Sequence, residues 1–363
     1  MSRIFLVTTN YWPEPTGIAV YTTDLANILT QDGHEVAVLT SLPHYPWWRI
    51  PEEFKHIGPG QSENGGVRVI RARHIVPSTM NVAQRMRFEF SLWFNLLKVS
   101  KKFGAEEFDL VIACIPTVAA GIVAKSIATR MKIPLGLIVQ DLSGAGAKQS
   151  GLRGGALISK LAERVEGLAL HAADSLVVVS PAMGDVVAQL GVEKNKTSLI
   201  YNYSARSIFA EARLKSREKF GWNSADFIAI HTGNMGAKQD LGNLILASEY
   251  LPEGSRIKIF LVGHGNQEKD LREMSFGKAN VSVMDAVSDA DYSALLSAAD
   301  LLIVNERSTQ LEMSLPSKLT SYLYSQRPVI AAVPRGGATW KFLDGVASLV
   351  DANSPELLAQ EIL

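Results

Sequence analysis

The sequence contains a single cysteine, Cys114, among 363 residues. One cysteine excludes an intramolecular disulfide and any metal site built on several thiolates. Cys114 lies inside the apolar run 110–124, where a thiol is expected to be buried. A chain without disulfides is typical of a reducing compartment, so we expect a cytoplasmic protein.

The sequence also lacks a long hydrophobic run. The uncharged stretch 110–124 is shorter than the ~20 residues that span a bilayer, and Pro116 interrupts it. The N-terminus turns polar at Thr8, which leaves too short an apolar stretch for a signal peptide. We therefore expect neither a membrane span nor export.

Neither sign of charge is in excess, because 36 lysines and arginines balance 36 aspartates and glutamates. This balance argues against a polyelectrolyte partner such as duplex DNA, and we expect no nucleic-acid partner. The substrate is instead expected to be small or to meet one face of the protein. A composition of 47% hydrophobic and 20% charged residues also excludes disorder, collagen and coiled coil as the main state.

Two phosphate-binding sequences are absent. No Gly-x-Gly-x-x-Gly follows the first apolar strand, and Gly-x-x-x-x-Gly-Lys-Ser/Thr occurs nowhere in the chain. These absences argue against a dinucleotide oxidoreductase and against a P-loop enzyme.

Short apolar runs alternate with longer amphipathic stretches, a pattern typical of repeated βα units around a parallel sheet. The length is roughly twice that of a comfortable single core, so we predict an α/β fold with two doubly wound, Rossmann-like domains, residues 1–205 and 206–363, facing a cleft. The predicted strands are 4–8, 35–40, 67–72, 110–114, 135–140 and 175–179 in the first half, and 227–231, 257–262, 281–284, 301–304 and 329–332 in the second. The predicted helices include 19–31, 155–171 and 212–220.

Four loops that follow strands or open helices carry glycines or a lysine. They contain Gly17, then Gly233 with Lys238, then Gly263 with Gly265, and finally Ser317 with Lys318. Glycines let a ligand approach backbone amides, and lysines and helix N-termini favour anions. We expect Ser317 to cap its helix. An ordinary loop explains the Gly17 segment equally well, but the four loops together predict a nucleotide ligand.

In chain order these segments resemble the retaining GT-B glycosyltransferases of family four, over nearly the whole chain. The matching motifs are Tyr11-x-Pro13-Glu14-x-x-Gly17-x-Ala19-x-Tyr21-Thr22, Gly33-His34-Glu35-Val36, Val179-Ser180-Pro181-Ala182-Met183, Ile200-Tyr201-Asn202, Gly233-Asn234-Met235-Gly236, Gly263-x-Gly265, and Pro316-Ser317-Lys318-Leu319 through Arg327-Pro328-Val329-Ile330-Ala331. Pro43-His44-Tyr45-Pro46 with Pro316-Ser317-Lys318 is similar to the branch that builds bacterial exopolysaccharide and O-antigen repeats, including colanic-acid fucosyltransferase-like proteins.

The resemblance implies that a nucleoside diphosphate sugar, UDP- or GDP-linked, binds largely to the second domain as substrate. It implies an acceptor on the first domain, no metal and no further cofactor. Gly17 and Lys318 match family positions near the donor phosphates, and Gly233 begins the matching loop of the second domain. Family members usually continue into a crossover helix, so we expect that the helical segment 354–363 belongs to a shortened C-terminus.

The chain departs from the family pattern at several donor positions. Asn234 stands where the family usually has an arginine, and Lys238 is an approximate substitute for a lysine near Gln239. Ser321 stands where a ribose-binding glutamate is expected, and Glu312 lies only near the first glutamate of the family's pair. We keep Glu312 as a catalytic candidate and the other matching positions as donor-binding candidates.

Two further catalytic candidates lie in the first domain. Asp141 follows a predicted strand at the turn where the family often has a histidine, and its carboxylate could accept a proton from an acceptor hydroxyl. Capping of the turn that follows explains Asp141 equally well. His44 stands beside Tyr45, Trp47 and Trp48, a set that suits stacking on sugar or lipid, although simple loop packing is the alternative.

The segment 82–103 interleaves basic and large apolar residues. Its bases are Arg85, Arg87, Lys98, Lys101 and Lys102. Such a mixture suits contact with an anionic membrane at its cytoplasmic face and a lipid-linked saccharide acceptor. The same stripe is also typical of the buried face of a domain helix.

These patterns leave three functions open. The leading hypothesis is a metal-independent glycosyltransferase, hexosyl or deoxyhexosyl, in bacterial surface polysaccharide synthesis. A sugar-nucleotide epimerase on the same fold is the second. A non-catalytic GT-B partner subunit is the third, because the glutamate pair is incomplete.

Overall fold

The structure is a computed structural model that describes residues 1–15, 17–55, 61–77, 82–104, 107–115, 117–142, 155–203, 211–308 and 315–363. The chain divides into two compact units, Met1–Tyr201 and Asn202–Leu363. The predicted boundary between residues 205 and 206 lies outside the described residues.

The first unit contains one eight-stranded sheet in the order β3-β4-β2-β1-β5-β6-β7-β8. The strands are β1 (Arg3–Val7), β2 (Glu35–Ser41), β3 (Gln61–Asn64), β4 (Val67–Ala72), β5 (Leu110–Ile115), β6 (Leu135–Val139), β7 (Ser175–Val178) and β8 (Thr197–Leu199). The helices are α1 (Ile18–Gln31), α2 (Glu52–Lys55), α3 (Val82–Ser100), α4 (Val118–Met131), α5 (Gly155–Ala172) and α6 (Pro181–Gln189), with a 3-10 turn at Lys194–Lys196. Neighbouring strands are parallel except β3, which runs antiparallel to β4.

The central strands of this sheet are buried on both faces. Phe5, Leu6 and Val7 of β1 have no exposed surface, although their side chains alternate between faces. A strand covered on both sides must be apolar at consecutive positions, which is the pattern that the sequence shows.

The second unit contains a six-stranded sheet in the order β11-β10-β9-β12-β13-β14, in which every pair is parallel. The strands are β9 (Phe227–Asn234), β10 (Ile257–His264), β11 (Val281–Met284), β12 (Leu301–Asn305), β13 (Val329–Val333) and β14 (Ser348–Asp351). The helices are α7 (Arg213–Lys219), α8 (Gly242–Ala247), α9 (Glu268–Ser275), α10 (Asp289–Ala298), α11 (Ser317–Tyr324), α12 (Ala338–Leu343) and α13 (Pro355–Ile362), with a 3-10 turn at Ser248–Tyr250.

Each face of the second sheet has its own hydrophobic core. On β9, Ala229 belongs to a cluster with Leu244 and Leu358, whereas Ile228 belongs to a cluster with Leu295 and residues of α11. Consecutive residues of one strand thus face opposite layers of helices, as in a doubly wound sheet. The prediction of two parallel-sheet α/β domains is confirmed.

Candidate functional site

The carboxyl ends of β9 and β10 meet in an unusually close backbone contact. Gly263 is paired with Gly233, and its φ is 156°. A Cβ atom at residue 263 would lie 1.8 Å from the carbonyl oxygen of Gly233, which no side chain can do without moving the strand. Gly263 is therefore required by the backbone approach, and it fixes the position of the loop that begins at Gly233.

The side chain of Lys318 lies over Gly233. Lys318 is the second residue of α11, and its Cε and Nζ atoms are 3.3 and 3.4 Å from the place that a Cβ at residue 233 would occupy. Gly233 has a φ of 114°, which other residues rarely adopt. Lys318, which the sequence predicts near the donor phosphates, and Gly233, which begins the matching loop of the second domain, thus lie together within one unit.

A histidine that the sequence did not single out holds the lysine. The Nζ atom of Lys318 is 2.8 Å from Nε2 of His231, and Nδ1 of the same imidazole is 3.0 Å from the carbonyl oxygen of Ile303. Because that carbonyl can only accept, Nδ1 carries the proton and donates it. Nε2 is then a lone-pair acceptor, and the lysine donates to it.

Burial sets the charge state of this pair. The pKa of Lys318 is lowered to about 7 by burial, while the nearby carboxyl of Glu306 acts in the opposite direction. Burial, and then the charge of Lys318, lower the pKa of His231 well below its ordinary value. The imidazole is therefore neutral near pH 7, as an acceptor for the lysine must be. Glu306 accepts a hydrogen bond of 2.6 Å from the hydroxyl of Thr339.

A buried hydroxyl cluster supports the strand between His231 and Gly233. The backbone N–H of Thr232 donates to the hydroxyl of Tyr322 at 2.7 Å, and the Thr232 hydroxyl is 3.1 Å from the hydroxyls of Tyr322 and Tyr292. Tyr322 is on α11, so this cluster connects the end of β9 to the helix that carries Lys318. The backbone of residue 233 and the lysine are consequently held by the same group of contacts.

The other predicted donor residues surround this point to different extents. Asn234 is exposed, and its Nδ2 atom lies 2.9 Å from the place of a Cβ at Gly236. Lys238 is exposed, and its carbonyl accepts from the Arg307 N–H at 2.9 Å. Ser321 is buried within α11. Glu312 lies outside the described residues.

The expectation that Ser317 caps α11 is wrong. Pro316 occupies the capping position, no side chain there bonds a backbone N–H, and Ser317 is already the first helical residue. A capping residue has non-helical backbone angles, which let its side chain reach the free amides of the first turn, whereas Ser317 is already inside the helix.

Carboxylates that could attract a metal are occupied by basic side chains. His264, Glu268 and Asp285 lie within reach of a common ion, but Arg272 is 3.0 Å from Glu268 and 2.5 Å from Asp285. An Asp-x-Asp sequence also occurs, at 289–291, where the Asp291 carboxylate is 2.5 Å from the ammonium of Lys219. Both groups of carboxylates therefore form ion pairs with basic side chains.

In the first unit, Glu14 organises the loop that follows β2. Its carboxylate is buried and accepts the backbone N–H groups of His44 and Tyr45 at 2.7 and 2.9 Å, while Asn10 donates to its other oxygen at 2.8 Å. Tyr45 is in turn 3.2 Å from the place of a Cβ at Gly17, which has a φ of 67° at the start of α1. Glu14 lies in the motif that begins at Tyr11, but nothing in the sequence indicates this role.

His44 is not presented for stacking on a ligand. Its side chain is enclosed, with ring centroids 4.6 Å from His74 and 5.4 Å from Phe88, and only 2% of the residue is exposed. Trp47 and Trp48 remain exposed. For His44 the alternative, simple loop packing, describes the structure, because the Glu14 carboxylate binds the 44–45 backbone and the imidazole packs inside with it.

Asp141 lies where the sequence placed it, two residues beyond the end of β6. It is exposed, and its Oδ1 accepts the Leu142 N–H at 2.8 Å. Together with Thr117 and Glu166 it lines a small pocket beside α4 and α5. The alternative explanation is that Asp141 caps the turn at 143–144. That turn lies outside the described residues.

The segment 82–103 forms α3 and the turn after it. One face is core, since Phe88, Leu92 and Leu96 are buried, but three large apolar residues on the opposite face are exposed. They are Met86 (53%), Phe90 (63%) and Phe94 (52%), and Arg87, Lys98, Lys101 and Lys102 are exposed around them. The buried-face interpretation is confirmed for one side of the helix, and the other side exposes the mixture of bases and large apolar residues on which the membrane interpretation depends.

Arg85 is partly exposed, but its guanidinium is engaged by neighbours on its own helix. Its guanidinium is 2.8 Å from the Glu89 carboxylate and lies over the Phe88 ring. Within the part of the chain that the structure describes, no helix is both long and apolar enough to cross a membrane.

Two family models match the chain. Residues 16–203 match a glycosyl transferase 4-like domain, and residues 212–363 match glycosyl transferases group 1. A curated relative, a putative colanic acid biosynthesis glycosyl transferase (WcaI) of Escherichia coli, is 28% identical over 99% of this chain and 91% of its own length.

Solved structures share the fold at low identity. A crystal structure of Anabaena HepE in complex with UDP has a TM-score of 0.69 at 19% identity, covering 100% of this chain and 89% of that one. A sucrose-phosphate synthase from Thermosynechococcus elongatus has a TM-score of 0.74 at 17% identity, again over 100% and 89% of the two chains. Both likenesses concern the fold alone.

Proposed function

Since the chain belongs to the glycosyl transferases, with a 4-like domain followed by a group 1 domain, we propose that it transfers a sugar from a nucleoside diphosphate sugar to a saccharide acceptor in bacterial surface polysaccharide synthesis. The observation that carries this proposal is the lysine over the glycine, Lys318 above Gly233, at the carboxyl end of the second sheet. The colanic acid transferase that resembles the chain supports the polysaccharide assignment.

The donor diphosphate binds to the second unit. Lys318 offers an ammonium, and Gly233 offers a backbone without a side chain to obstruct it, a combination that suits phosphate oxygens. Gly263 keeps that backbone in place, Gly17 begins a second helix on the acceptor side, and Asn234, Lys238, Ser317 and Ser321 complete the set of candidate contacts. UDP is the first nucleotide to test, because HepE was solved with it, and GDP is the second.

The reaction is a retaining transfer in which the acceptor hydroxyl attacks from the face on which the nucleotide leaves. Negative charge grows on the departing diphosphate, so a cation fixed in advance stabilises the transition state more than the ground state. Lys318 supplies that cation without a metal, because the negative charge of the bound diphosphate favours the protonated form of the lysine. Asp141 takes the hydroxyl proton or orients the sugar, and Glu312 remains a candidate on the donor side.

The acceptor is a lipid-linked saccharide at the cytoplasmic face of the membrane. The exposed face of α3 combines three large apolar side chains with bases, as an anionic lipid surface requires. His44 serves here as a structural part of the acceptor-side loop, because its imidazole is enclosed.

Thermal shift with UDP-, GDP- and ADP-sugars tests the donor. A ligand at 100 times its dissociation constant adds about 2.7 kcal/mol of stability, which is readily seen as a higher melting temperature. Transfer of a labelled sugar to a lipid-linked acceptor then tests the reaction. Binding of no nucleotide would favour a non-catalytic partner subunit, and conversion of the nucleotide sugar without acceptor would favour an epimerase.

A further inference from the structure

His231 lies between a backbone carbonyl and the lysine of the proposed donor site. It has no exposed surface, and its two ring nitrogens are 3.0 Å from the Ile303 oxygen and 2.8 Å from the Lys318 ammonium. Ile303 belongs to β12, the strand next to β9, so the anchor of the imidazole is part of the sheet.

This arrangement fixes the direction of both hydrogen bonds. A carbonyl accepts only, so the ring proton is on Nδ1, and the Nε2 lone pair points at the lysine. If Lys318 left this position, Nε2 would be a buried acceptor without a partner, which is unfavourable. The histidine thus penalises every lysine rotamer except the one over Gly233.

We propose that His231 is a positioning residue that holds the Lys318 ammonium over the Gly233 backbone, ready for a donor diphosphate. The inference rests on the proposed function. One of the three N–H groups of the ammonium is used by Nε2, and the others remain to serve phosphate oxygens. His231 acts only through the lysine and does not touch the nucleotide.

The groups around the ammonium support this role. His231 faces it from β9, and Glu306 acts on it from the residue after β12 while accepting a bond from Thr339 of α12. The carboxyl favours the charged lysine, and the neutral imidazole accepts from it without adding a second positive charge. A leucine or phenylalanine at residue 231 would fill the space but remove the acceptor.

Titration calorimetry with UDP, GDP, ADP and dTDP on the full chain tests the proposal, using the nucleoside diphosphate that the wild-type protein binds best. We expect His231→Phe to weaken its binding about tenfold, the effect of one lost interaction with a charged group. His231→Gln keeps a donor and an acceptor about as far apart as the ring nitrogens, so binding should recover most of that loss. The matching nucleoside, which lacks phosphate, should bind both variants as it binds the wild type.

A double-mutant cycle separates positioning from a general loss of structure. In the Lys318→Met background, His231→Phe should change the affinity less than about twofold, since the lysine through which it acts is gone. His34→Gln, a change at a partly exposed histidine whose Nδ1 accepts from the Ser2 N–H, is the control and should bind as the wild type does.

The outcomes distinguish the proposed function from the positioning role of His231. A wild-type protein that binds none of the four nucleotides overturns the proposed function and the inference with it. Nucleotide binding that His231→Phe leaves unchanged, or weakens equally with and without Lys318, overturns the positioning role alone. If His231→Phe does not fold, the decision falls to His231→Gln, which must bind at near wild-type affinity, and to Lys318→Met, which must bind weakly.

Discussion

The side chain of Lys318 occupies the space that any side chain at residue 233 would need, with its Cε atom 3.3 Å from the position of the missing Cβ. A glycine at the end of β9 and a lysine at the start of α11 therefore depend on each other. The glycine makes room for the lysine, and the lysine brings a charge to a backbone that a ligand can approach closely. This pair is the physical basis of the proposed donor site.

Lys318→Met should weaken binding of the donor nucleotide by about 1.5 to 3 kcal/mol, the range for hydrogen bonds to charged groups. Methionine is preferred to alanine because Lys318 is half-buried, and methionine keeps a long side chain at this position. Titration calorimetry with UDP and GDP measures the effect, and circular dichroism checks the fold. Unchanged affinity would remove Lys318 from the site.

The same variant should change how stability depends on pH. Burial lowers the pKa of Lys318 from 10.5 to about 7, so between these values the unfolded chain binds a proton that the folded chain does not. The free energy of unfolding of the wild type therefore rises with pH across this window. Lys318→Met lacks this ionisable group, so its free energy of unfolding does not rise in the same way.

Melting temperatures of both proteins from pH 7 to pH 10 provide the measurement. The stability of Lys318→Met relative to wild type should be highest at pH 7 and should decline as the pH rises. The change in packing from lysine to methionine contributes equally at each pH, so the slope decides the question. A difference that is constant over the whole range would contradict the lowered pKa.

Gly263→Ala should destabilise the second unit strongly and weaken nucleotide binding, because the added methyl would lie 1.8 Å from the Gly233 oxygen. Gly254→Ala is the matched control. Gly254 also has a positive φ, 74°, but nothing lies within 4 Å of its added Cβ. The control therefore pays only the backbone strain of about 1 kcal/mol, and chemical denaturation should separate the two variants. Equal losses would show that the close approach of the two strands is not rigid.

The apolar runs predicted most of the strands. The sequence gives β4 and β11 the bounds that the structure has, because their apolar residues stop where pairing stops. It missed β3, Gln61–Asn64, since an antiparallel edge strand made of polar residues has no apolar signature. The ends of β9 and β10 were interpreted as loops because of their glycines, yet the two strands stay paired through Gly233 and Gly263.

The site was predictable only as separate parts. Gly233 and Lys318 each carry a local signal, a glycine after a strand and a lysine at a helix start. His231 has none, because its partner is 87 residues away and a histidine inside a strand looks like core. The role of Glu14 could not be predicted from the sequence either. Glu14 stands between two prolines, and no local pattern indicates that its carboxylate accepts the backbone N–H groups of residues 30 and 31 positions further along the chain.

His74→Phe should stabilise the protein in mild acid. Both ring nitrogens of His74 are buried without a hydrogen-bond partner among the described residues, and burial lowers its pKa to about 3. Between that value and 6.5 the unfolded histidine binds a proton that the folded one does not, so wild-type stability falls as the pH drops, by up to about 1.4 kcal/mol per pH unit.

Phenylalanine keeps a ring against His44 and Phe88 but has no proton to bind. Melting temperatures at pH 7 and pH 5 should therefore show a larger advantage for the variant at pH 5. His34→Gln, at a partly exposed position, serves for comparison and should follow the wild type. An advantage that does not grow toward pH 5 would contradict the neutral, unpaired state of His74.

Replacing Lys98, Lys101 and Lys102 by glutamine should reduce co-sedimentation with anionic phospholipid vesicles. All three are exposed beside the apolar face of α3, and each lysine near such a surface contributes about 1 kcal/mol. Because the attraction is electrostatic, wild-type binding should also weaken as salt is raised. Nucleotide affinity should not change, since these lysines lie in the first unit and the proposed donor contacts lie mostly in the second.

Two comparisons make the membrane test specific to this face. Glutamine at Lys215, Lys269 and Lys341, exposed lysines of the second unit, removes the same charge and should leave vesicle binding intact. Phe90→Ser with Phe94→Ser removes apolar area and no charge, and it should weaken binding at every salt concentration, because buried rings contribute through the hydrophobic effect. If the wild type ignores anionic vesicles at low salt, the exposed rings of α3 have another partner and the acceptor is a soluble saccharide.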